Sequence, residues 1–197
     1  MPDYAAVFLD GGYMDKVLEG FGFPPIDYQA FSDEICRRSG DFTRFRTYYY
    51  HAPPFQGSSP TPEDRTRYAN KMRFFNRLKY LDRFEVRLGK LELRRCPNCG
   101  DARPRQKRVD SKLAIDLVRI AAKNQVKKAI LVAGDSDHAP AVEVAKEESA
   151  LVALWHLPGN AKTVAHGELL QLCDERFEIT DELLKSVRRD DAHPRTG

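Results

Sequence analysis

The chain has 197 residues, of which 42% are hydrophobic and 31% are charged, and its formal net charge is +3. This length and composition allow one domain with a buried core and exclude fibrous and wholly disordered proteins. No run of about 18 apolar residues predicts a membrane span, and the first residues lack the basic and apolar regions of a signal peptide. We therefore expect a cytoplasmic protein without a membrane partner.

The small net charge conceals three blocks of alternating sign. Residues 1–64 carry a net charge of −5, residues 65–108 carry +11 and residues 109–197 carry −3. A basic block between two acidic flanks predicts a binding surface for a polyanion such as a nucleic acid. The alternative is a highly solvated insertion without a ligand, because runs of charge often do no more than face water.

The first half of the chain predicts strands and helices in turn. Residues 4–9 form a short apolar run that is typical of a buried parallel strand, and the run ends at Asp10. The elements predicted after it are helices at 13–20 and 28–38, a strand at 42–50, a basic amphipathic helix from 62 to 81, and a strand or hairpin within 84–95.

From Val109 onward strands and helices alternate regularly, which indicates a parallel sheet covered by helices. The predicted elements are a helix to about 124, a strand at 129–133, a helix to 148, a strand at 151–155, a helix near 162–172, a short strand at 177–179 and a helix near 181–188. We therefore predict a single α/β domain over residues 1–188. Residues 52–108 are interpreted as a basic insertion within it, and residues 189–197 as a disordered tail.

Acidic residues follow two of the predicted strands. Asp10 ends the first strand, and Asp135 and Asp137 come directly after the strand at 129–133. In open parallel sheets ligands bind at this edge, where the strands end. Asp137 has an alternative role as the cap of the next helix, and Asp10 has an alternative role in a simple turn.

The helix after Val109 adds Asp110 and Asp116. Asp116 lies about 60° around the helix from the apolar residue Leu113, so it borders the buried stripe and needs a partner. The alternative for Asp116 is a surface ion pair with Arg119 or Lys112, and Asp110 has an alternative role as a helix cap.

Convergence of these acids would require a cation. Two carboxylates about 4 Å apart repel each other by roughly 4 kcal/mol at an effective dielectric constant near 20. A site made only of oxygen ligands suits Mg²⁺ or Mn²⁺, and such ions can activate a water molecule against a phosphodiester.

Three segments resemble the NYN domain in its LabA-like branch: the strand ending at Asp10, residues 107–117 and residues 129–137. The resemblance extends from residue 4 to about residue 180, and it implies a PIN-like three-layer α/β/α sandwich and a metal-dependent ribonuclease. Matched by position, it implies metal-binding catalytic acids at Asp10, Asp116, Asp135 and Asp137, with Asp110 as an additional catalytic acid.

The chain departs from the family pattern at two positions. It has Tyr13 where family members commonly place an asparagine, three residues after the first aspartate. Loss of that asparagine bears on how substrate or water is positioned. It also has His138 where an aromatic residue usually follows the second strand acid, and we interpret His138 as a tolerated ring in preference to a proton shuttle.

The basic block supplies candidate ligands for nucleic-acid phosphates, namely Arg73, Arg77, Arg94, Arg95, Arg105, Lys107 and Arg108. Within it, Cys96 and Cys99 have the spacing of half a zinc knuckle; the alternative is two reduced thiols in a turn. A structural Zn²⁺ needs four ligands, so Cys36, Cys173, His51 or a second copy of the chain would have to complete the site. A homodimer is therefore a candidate assembly.

We predict an endoribonuclease that depends on Mg²⁺ or Mn²⁺ and hydrolyses RNA with a metal-activated water. Single-stranded RNA is the expected partner, because a flexible backbone can bend into a recessed site. Two alternatives stay open. One is an RNA-binding or regulatory module that cleaves weakly or not at all, and the other is an Asp-based phosphoesterase of the haloacid dehalogenase or Toprim type.

Overall fold

The structure is a computed structural model that describes residues 3–57, 59–95, 102–157, 159 and 165–189, without the side chains of 92–95 and 102–107. The strands are Tyr4–Asp10 (β1), Thr43–His51 (β2), Phe84–Leu88 (β3), Lys90–Arg95 (β4), Ala102–Lys107 (β5), Lys128–Val132 (β6), Leu151–His156 (β7) and Glu175–Glu178 (β8). The α-helices are Gly11–Gly20 (α1), Tyr28–Arg38 (α2), Pro62–Lys79 (α3), Val109–Ala122 (α4), Ala139–Glu147 (α5), Gly167–Leu172 (α6) and Asp181–Ser186 (α7). A short 3₁₀ helix covers Ser136–His138.

Six of the strands form one parallel sheet in the order β3-β2-β1-β6-β7-β8. The chain first builds outward from β1 to β3 and then returns to place β6 on the other side of β1. The neighbours β1 and β6 pair in a register that sets Leu9 opposite Val132. A reversal of strand order of this kind opens a crevice at the carboxyl ends of the strands, where ligands of α/β proteins bind.

Hydrophobic side chains cover both faces of the sheet. On β1, Ala5, Val7 and Leu9 belong to one core, whereas Ala6 and Phe8 belong to the other, as the alternation along a strand requires. Helices α1, α2, α3 and α7 bury their apolar residues in the first core, and α4, α5 and α6 do so in the second. The predicted three-layer α/β/α sandwich with a parallel sheet is therefore confirmed.

The segment 52–108, which was predicted as an insertion, contributes two elements to the main fold. Helix α3 buries Phe75 and Leu78 in the first core, and β3 extends the sheet by pairing with β2. Strands β4 and β5 form a separate antiparallel hairpin, so among the described strands these two do not belong to the main sheet. The amphipathic pattern of α3 was visible in the sequence, whereas β3 is an edge strand with half-buried residues and gives no clear core pattern.

None of the helices within the described ranges is long and apolar enough to cross a membrane.

Candidate active site

Asp10 is held at the junction between β1 and α1. Its Oδ1 accepts hydrogen bonds from the backbone amides of Gly12, at 2.9 Å, and Tyr13, at 3.2 Å, so the carboxylate caps the helix. The helix starts with Gly11 because a Cβ there would lie 2.6 Å from the His51 ring. The backbone therefore fixes the direction of the Asp10 side chain at the carboxyl edge of the sheet.

Asp135 and Asp137 emerge from the neighbouring strand, β6, and both are exposed. Asp135 caps the 3₁₀ helix, since its Oδ1 accepts a hydrogen bond of 3.1 Å from the amide of Asp137. The capping role considered for Asp137 in the sequence thus falls to Asp135. Because β1 and β6 are parallel neighbours, Asp10 and this acidic pair leave the sheet on either side of the crevice.

Tyr13, which occupies the family's asparagine position, packs at this edge of the sheet. Its ring is buried and packs against Gly134, and its hydroxyl accepts a hydrogen bond of 2.9 Å from the amide of Leu157, just after β7. The carbonyl of Gly134 in turn accepts a bond of 2.9 Å from the amide of His166. The turn that carries Asp135 is therefore supported by residues that follow β1 and β7.

Asp110 lies in the first turn of α4 and is half-buried. Burial raises the pKa of its carboxyl above the ordinary value. The carboxylates of Asp10, Asp135 and Asp137 raise that pKa further, whereas the His138 ring lowers it. These four acids are therefore electrostatic neighbours, and we call Asp10, Asp110, Asp135 and Asp137 the acidic cluster.

The chemistry of the acidic cluster fits a hard divalent cation. It offers only oxygen ligands, and the pKa of Asp110 is raised first by burial and then by the neighbouring carboxylates, whose repulsion a cation would relieve. Among the described residues, no group of three or more His, Cys, Asp and Glu side chains stands close enough together to hold a metal directly. Mg²⁺ retains several water ligands and needs only one or two carboxylates in direct contact, so the cluster suits an ion bound partly through water.

Asp116 has a different environment from the acidic cluster. It is buried, and its carboxylate accepts hydrogen bonds from Tyr50, at 3.0 Å, Arg87, at 3.2 Å, and Arg119, at 2.7 Å. The bond to Arg119 matches the alternative that the helix spacing had left open. Six residues separate Asp116 from Asp110, about 9 Å along the helix axis, so α4 directs its two acids to different groups.

The residue pattern did not indicate a functional role for Arg87. It sits on β3, opposite Tyr50 of β2, and its guanidinium also lies over the Tyr48 ring, 5.9 Å from the ring centre. Only the pairing of β3 with β2 brings it to Asp116. The residue pattern over 84–95 allowed a hairpin as well as a strand, so no local signal could have found this contact.

His138 is completely buried, and neither ring nitrogen has a hydrogen-bond partner among the described residues. The ring therefore contributes by packing and by its electrostatic effect on Asp110. The interpretation of His138 as a tolerated ring stays a prediction.

The predicted phosphate ligands are placed only in part. Arg73 and Arg77 are exposed on α3, and Arg108 is exposed just before α4, with a left-handed φ of 68°. Other predicted ligands have side chains outside the described residues, namely those of Arg94, Arg95, Arg105 and Lys107.

The predicted zinc pair, Cys96 and Cys99, also lies outside the described residues. Of the side chains proposed to complete that site, Cys36 is buried in the first core and Cys173 in the second, on opposite faces of the sheet. His51 is buried, and its Nε2 lies 2.9 Å from a carboxylate oxygen of Asp15. Cys36 and Cys173 therefore cannot act together, and the zinc site and the homodimer both stay predictions.

The fold and the acidic cluster together define an α/β sandwich with carboxylates at the switch point of a parallel sheet. The family model of the NYN domain matches residues 4–180, and the chain belongs to this family. NYN domains are part of the PIN-like nuclease superfamily, which supports a ribonuclease-type function. A comparison with curated proteins gives no match. The LabA-like branch stays a prediction.

Proposed function

We propose that the chain is an endoribonuclease that depends on Mg²⁺ or Mn²⁺ and cleaves single-stranded RNA. The observation that carries the proposal is that Asp10 and Asp135 are each held by backbone amides just after the neighbouring parallel strands β1 and β6, at the switch point of the sheet. Mutually repelling carboxylates in a crevice are costly for the protein unless they bind a cation. The family match supports nuclease chemistry for such a site.

The acidic cluster would hold the metal ion, which when bound supplies a polarised phosphate and an activated water. Asp10 and Asp135 are fixed by backbone amides, so each presents its carboxylate in a set direction before metal arrives. The half-buried Asp110 faces them from α4. Asp116 accepts hydrogen bonds from Arg87 and Arg119 in this arrangement, and its role as a metal-binding acid stays a prediction.

The phosphates of RNA would be bound by the basic residues outside the cluster. Arg108 stands two residues before Asp110 and is exposed, so it is near enough to assist at the same edge. The β4–β5 hairpin ends immediately before Arg108 and contains four of the predicted phosphate ligands. A hairpin of this charge beside an acidic metal site would attract the RNA backbone that the acids alone repel.

The test is a cleavage assay with purified protein on single-stranded RNA, offered both as a labelled linear strand and as a covalently closed circle. We expect Mn²⁺ or Mg²⁺ to support cleavage of both, and EDTA or Asp135→Asn to abolish it. Cleavage of the circle identifies an endonuclease, because an exonuclease needs an end. Glu143→Gln, an exposed acid on α5, is the matched control and should cleave normally.

The outcomes also separate the alternatives. RNA that is bound but left intact would favour a binding or regulatory module. Cleavage that Asp135→Asn leaves unchanged would remove the acidic cluster from the mechanism. Turnover of small phosphate monoesters in place of RNA would favour the Asp-based phosphoesterase.

A further inference from the structure

Helix α3 presents two different faces. Phe75 and Leu78 are buried against the sheet, and Lys71, on the same side, donates a hydrogen bond of 2.7 Å to Asp15 of α1. The opposite side carries a row of exposed residues at spacings of three and four, as one face of a helix requires: Asn70, Arg73, Arg77 and Tyr80. With Asn76, this row lines a shallow depression of about 400 Å³. We call these five residues the α3 outer face.

Two arginines give the α3 outer face its positive charge. Within the described part of the chain, neither Arg73 nor Arg77 forms an ion pair with a carboxylate, and Arg73 donates a hydrogen bond of 2.9 Å to the Asn70 side chain. Arg67, six residues before Arg73, differs because it pairs with Asp64 at 2.8 Å. Two unpaired guanidinium groups one turn apart favour a ligand with repeated negative charges.

Tyr80 adds a flat aromatic surface to this charge. It ends α3, and 90% of its surface is exposed to solvent. A large exposed ring beside arginines matches the way in which single-stranded nucleic acids are bound, with bases stacked on aromatic side chains and phosphates on cations. An acidic peptide would use the arginines but would leave the ring without a planar partner. The combination therefore favours an unpaired nucleic-acid strand.

The position of α3 relates this face to the acidic cluster. Strand β2 ends at the carboxyl edge of the sheet, and β3, parallel to it, starts at the opposite edge, so α3 runs from the first edge to the second. Lys71 is near the carboxyl edge through its bond to Asp15. Tyr80 lies nine residues further, about 13 Å along the helix axis. A strand lying on the α3 outer face would therefore lead away from the acids.

We propose that the α3 outer face binds single-stranded RNA and that Tyr80 stacks a base several nucleotides away from the cleavage site. The inference rests on the proposed function in taking RNA as the ligand. It concerns binding alone, so it can be measured without cleavage. It assigns Tyr80 a role in how much of the strand the protein contacts.

The experiment measures binding of fluorescein-labelled 15-nucleotide oligo(A) and oligo(U) RNA to the full chain by fluorescence anisotropy, in EDTA to prevent cleavage. We expect Tyr80→Ala to weaken binding by about 5- to 100-fold, and Tyr80→Phe to retain most of it, because stacking needs the ring. Arg73→Gln and Arg77→Gln should each weaken binding and lower the salt dependence by about one phosphate contact.

The matched controls are Phe23→Ala, which removes another exposed aromatic ring, and Lys123→Gln, which removes a positive charge from another exposed site. Both should bind RNA as the wild-type protein does. Circular dichroism of each variant checks that the fold is retained, which we expect because these side chains are exposed.

Three results would overturn the inference: no binding of RNA by the wild-type chain, a change of less than twofold for Tyr80→Ala, or equal competition by a poly-glutamate peptide. The last result would indicate a docking site for acidic proteins. Failure of the proposed function is distinguishable, because Tyr80-dependent binding can persist in a protein that cleaves no RNA. Conversely, a protein whose cleavage activity requires Asp135 but whose RNA binding does not require Tyr80 would refute only the role of the α3 outer face.

Discussion

The ring of Tyr13 lies against the backbone of Gly134 so closely that a Cβ at position 134 would stand 2.4 Å from the Cε2 atom of the tyrosine. Gly134 connects β6 to the turn that carries Asp135 and Asp137, and Tyr13 lies in α1, the helix that follows Asp10. The contact therefore links the turn after β6 to the helix after β1. A tyrosine in place of the family's asparagine thus has a structural role here. It fills the space beneath the acidic cluster.

Gly134→Ala should destabilise the protein by about 1–3 kcal/mol, because the buried Tyr13 ring must move or the turn must shift. Chemical denaturation measures the change. Gly167→Ala is the matched control, since a Cβ at that glycine meets nothing within 4 Å, and it should cost little. Equal stabilities of the two variants would show that the contact with Tyr13 is easily relaxed.

Asp116→Asn and Asp135→Asn should differ in their effects on stability. The first places an amide donor among the Tyr50, Arg87 and Arg119 donors, and we expect a loss of about 1–3 kcal/mol. The second removes one member of a repelling cluster and should leave the melting temperature unchanged or higher while abolishing cleavage. Thermal melts and the RNA assay, run on the same preparations, measure both. A stable Asp116→Asn protein that does not cleave RNA would favour a role for Asp116 in metal binding.

Asp110→Asn should stabilise the protein in a pH-dependent way. The folded-state pKa of Asp110 is raised by burial and by its acidic neighbours, so above that pKa the ionised carboxylate disfavours the folded state. At pH 7 the variant should therefore melt at a higher temperature than the wild type. The gain should fade as the pH falls through the raised pKa and should vanish below about 4, where the carboxyl is protonated in the unfolded state as well. A gain that stays constant with pH would have a different cause.

Mn²⁺ should raise the melting temperature of the wild-type protein, because an ion that binds only the folded state adds to its stability. The shift should be smaller in Asp10→Asn and Asp110→Asn, which each remove a carboxylate from the acidic cluster, and normal in Glu143→Gln. Differential scanning fluorimetry with and without EDTA measures this effect independently of RNA. An equal shift in all variants would place the bound ion elsewhere.

His138→Phe should keep the melting temperature and the cleavage activity, or raise the former, because it replaces two buried nitrogens that form no hydrogen bonds within the described structure. His138→Asn should destabilise the protein, since it removes the ring and leaves a polar group. Loss of cleavage in a stably folded His138→Phe protein would favour the proton shuttle over the tolerated ring.

The sheet and its two layers of helices were predictable because buried parallel strands have short apolar runs. The segment before Asp10 and the segment before Gly134 both show this pattern. The rest depended on pairing across the fold. Edge strand β3 is only partly buried, so its residues did not reveal that they extend the sheet or that Arg87 reaches Asp116.

The acids show the same division between local and long-range information. Helical spacing correctly indicated that Asp116 borders the buried stripe and needs a partner. Spacing could not say whether that partner is a metal or an arginine, because Arg87 comes from a strand 29 residues earlier in the chain. The cap of the 3₁₀ helix likewise is Asp135, because the helical turn begins two residues earlier than the position of Pro140 suggested.

The strand order has a consequence for how the site comes into existence. Asp10 belongs to the part of the chain that builds β1, β2 and β3, whereas the other three acids come after the β4–β5 hairpin. Neither part holds the acidic cluster alone. The two parts join where β6 docks beside β1 along five residue pairs, from Ala5 with Lys128 to Leu9 with Val132. Assembly of that central seam is therefore also assembly of the acidic cluster, and a nascent or severed chain that ends before β6 has only two of its four carboxylates, Asp10 and Asp110.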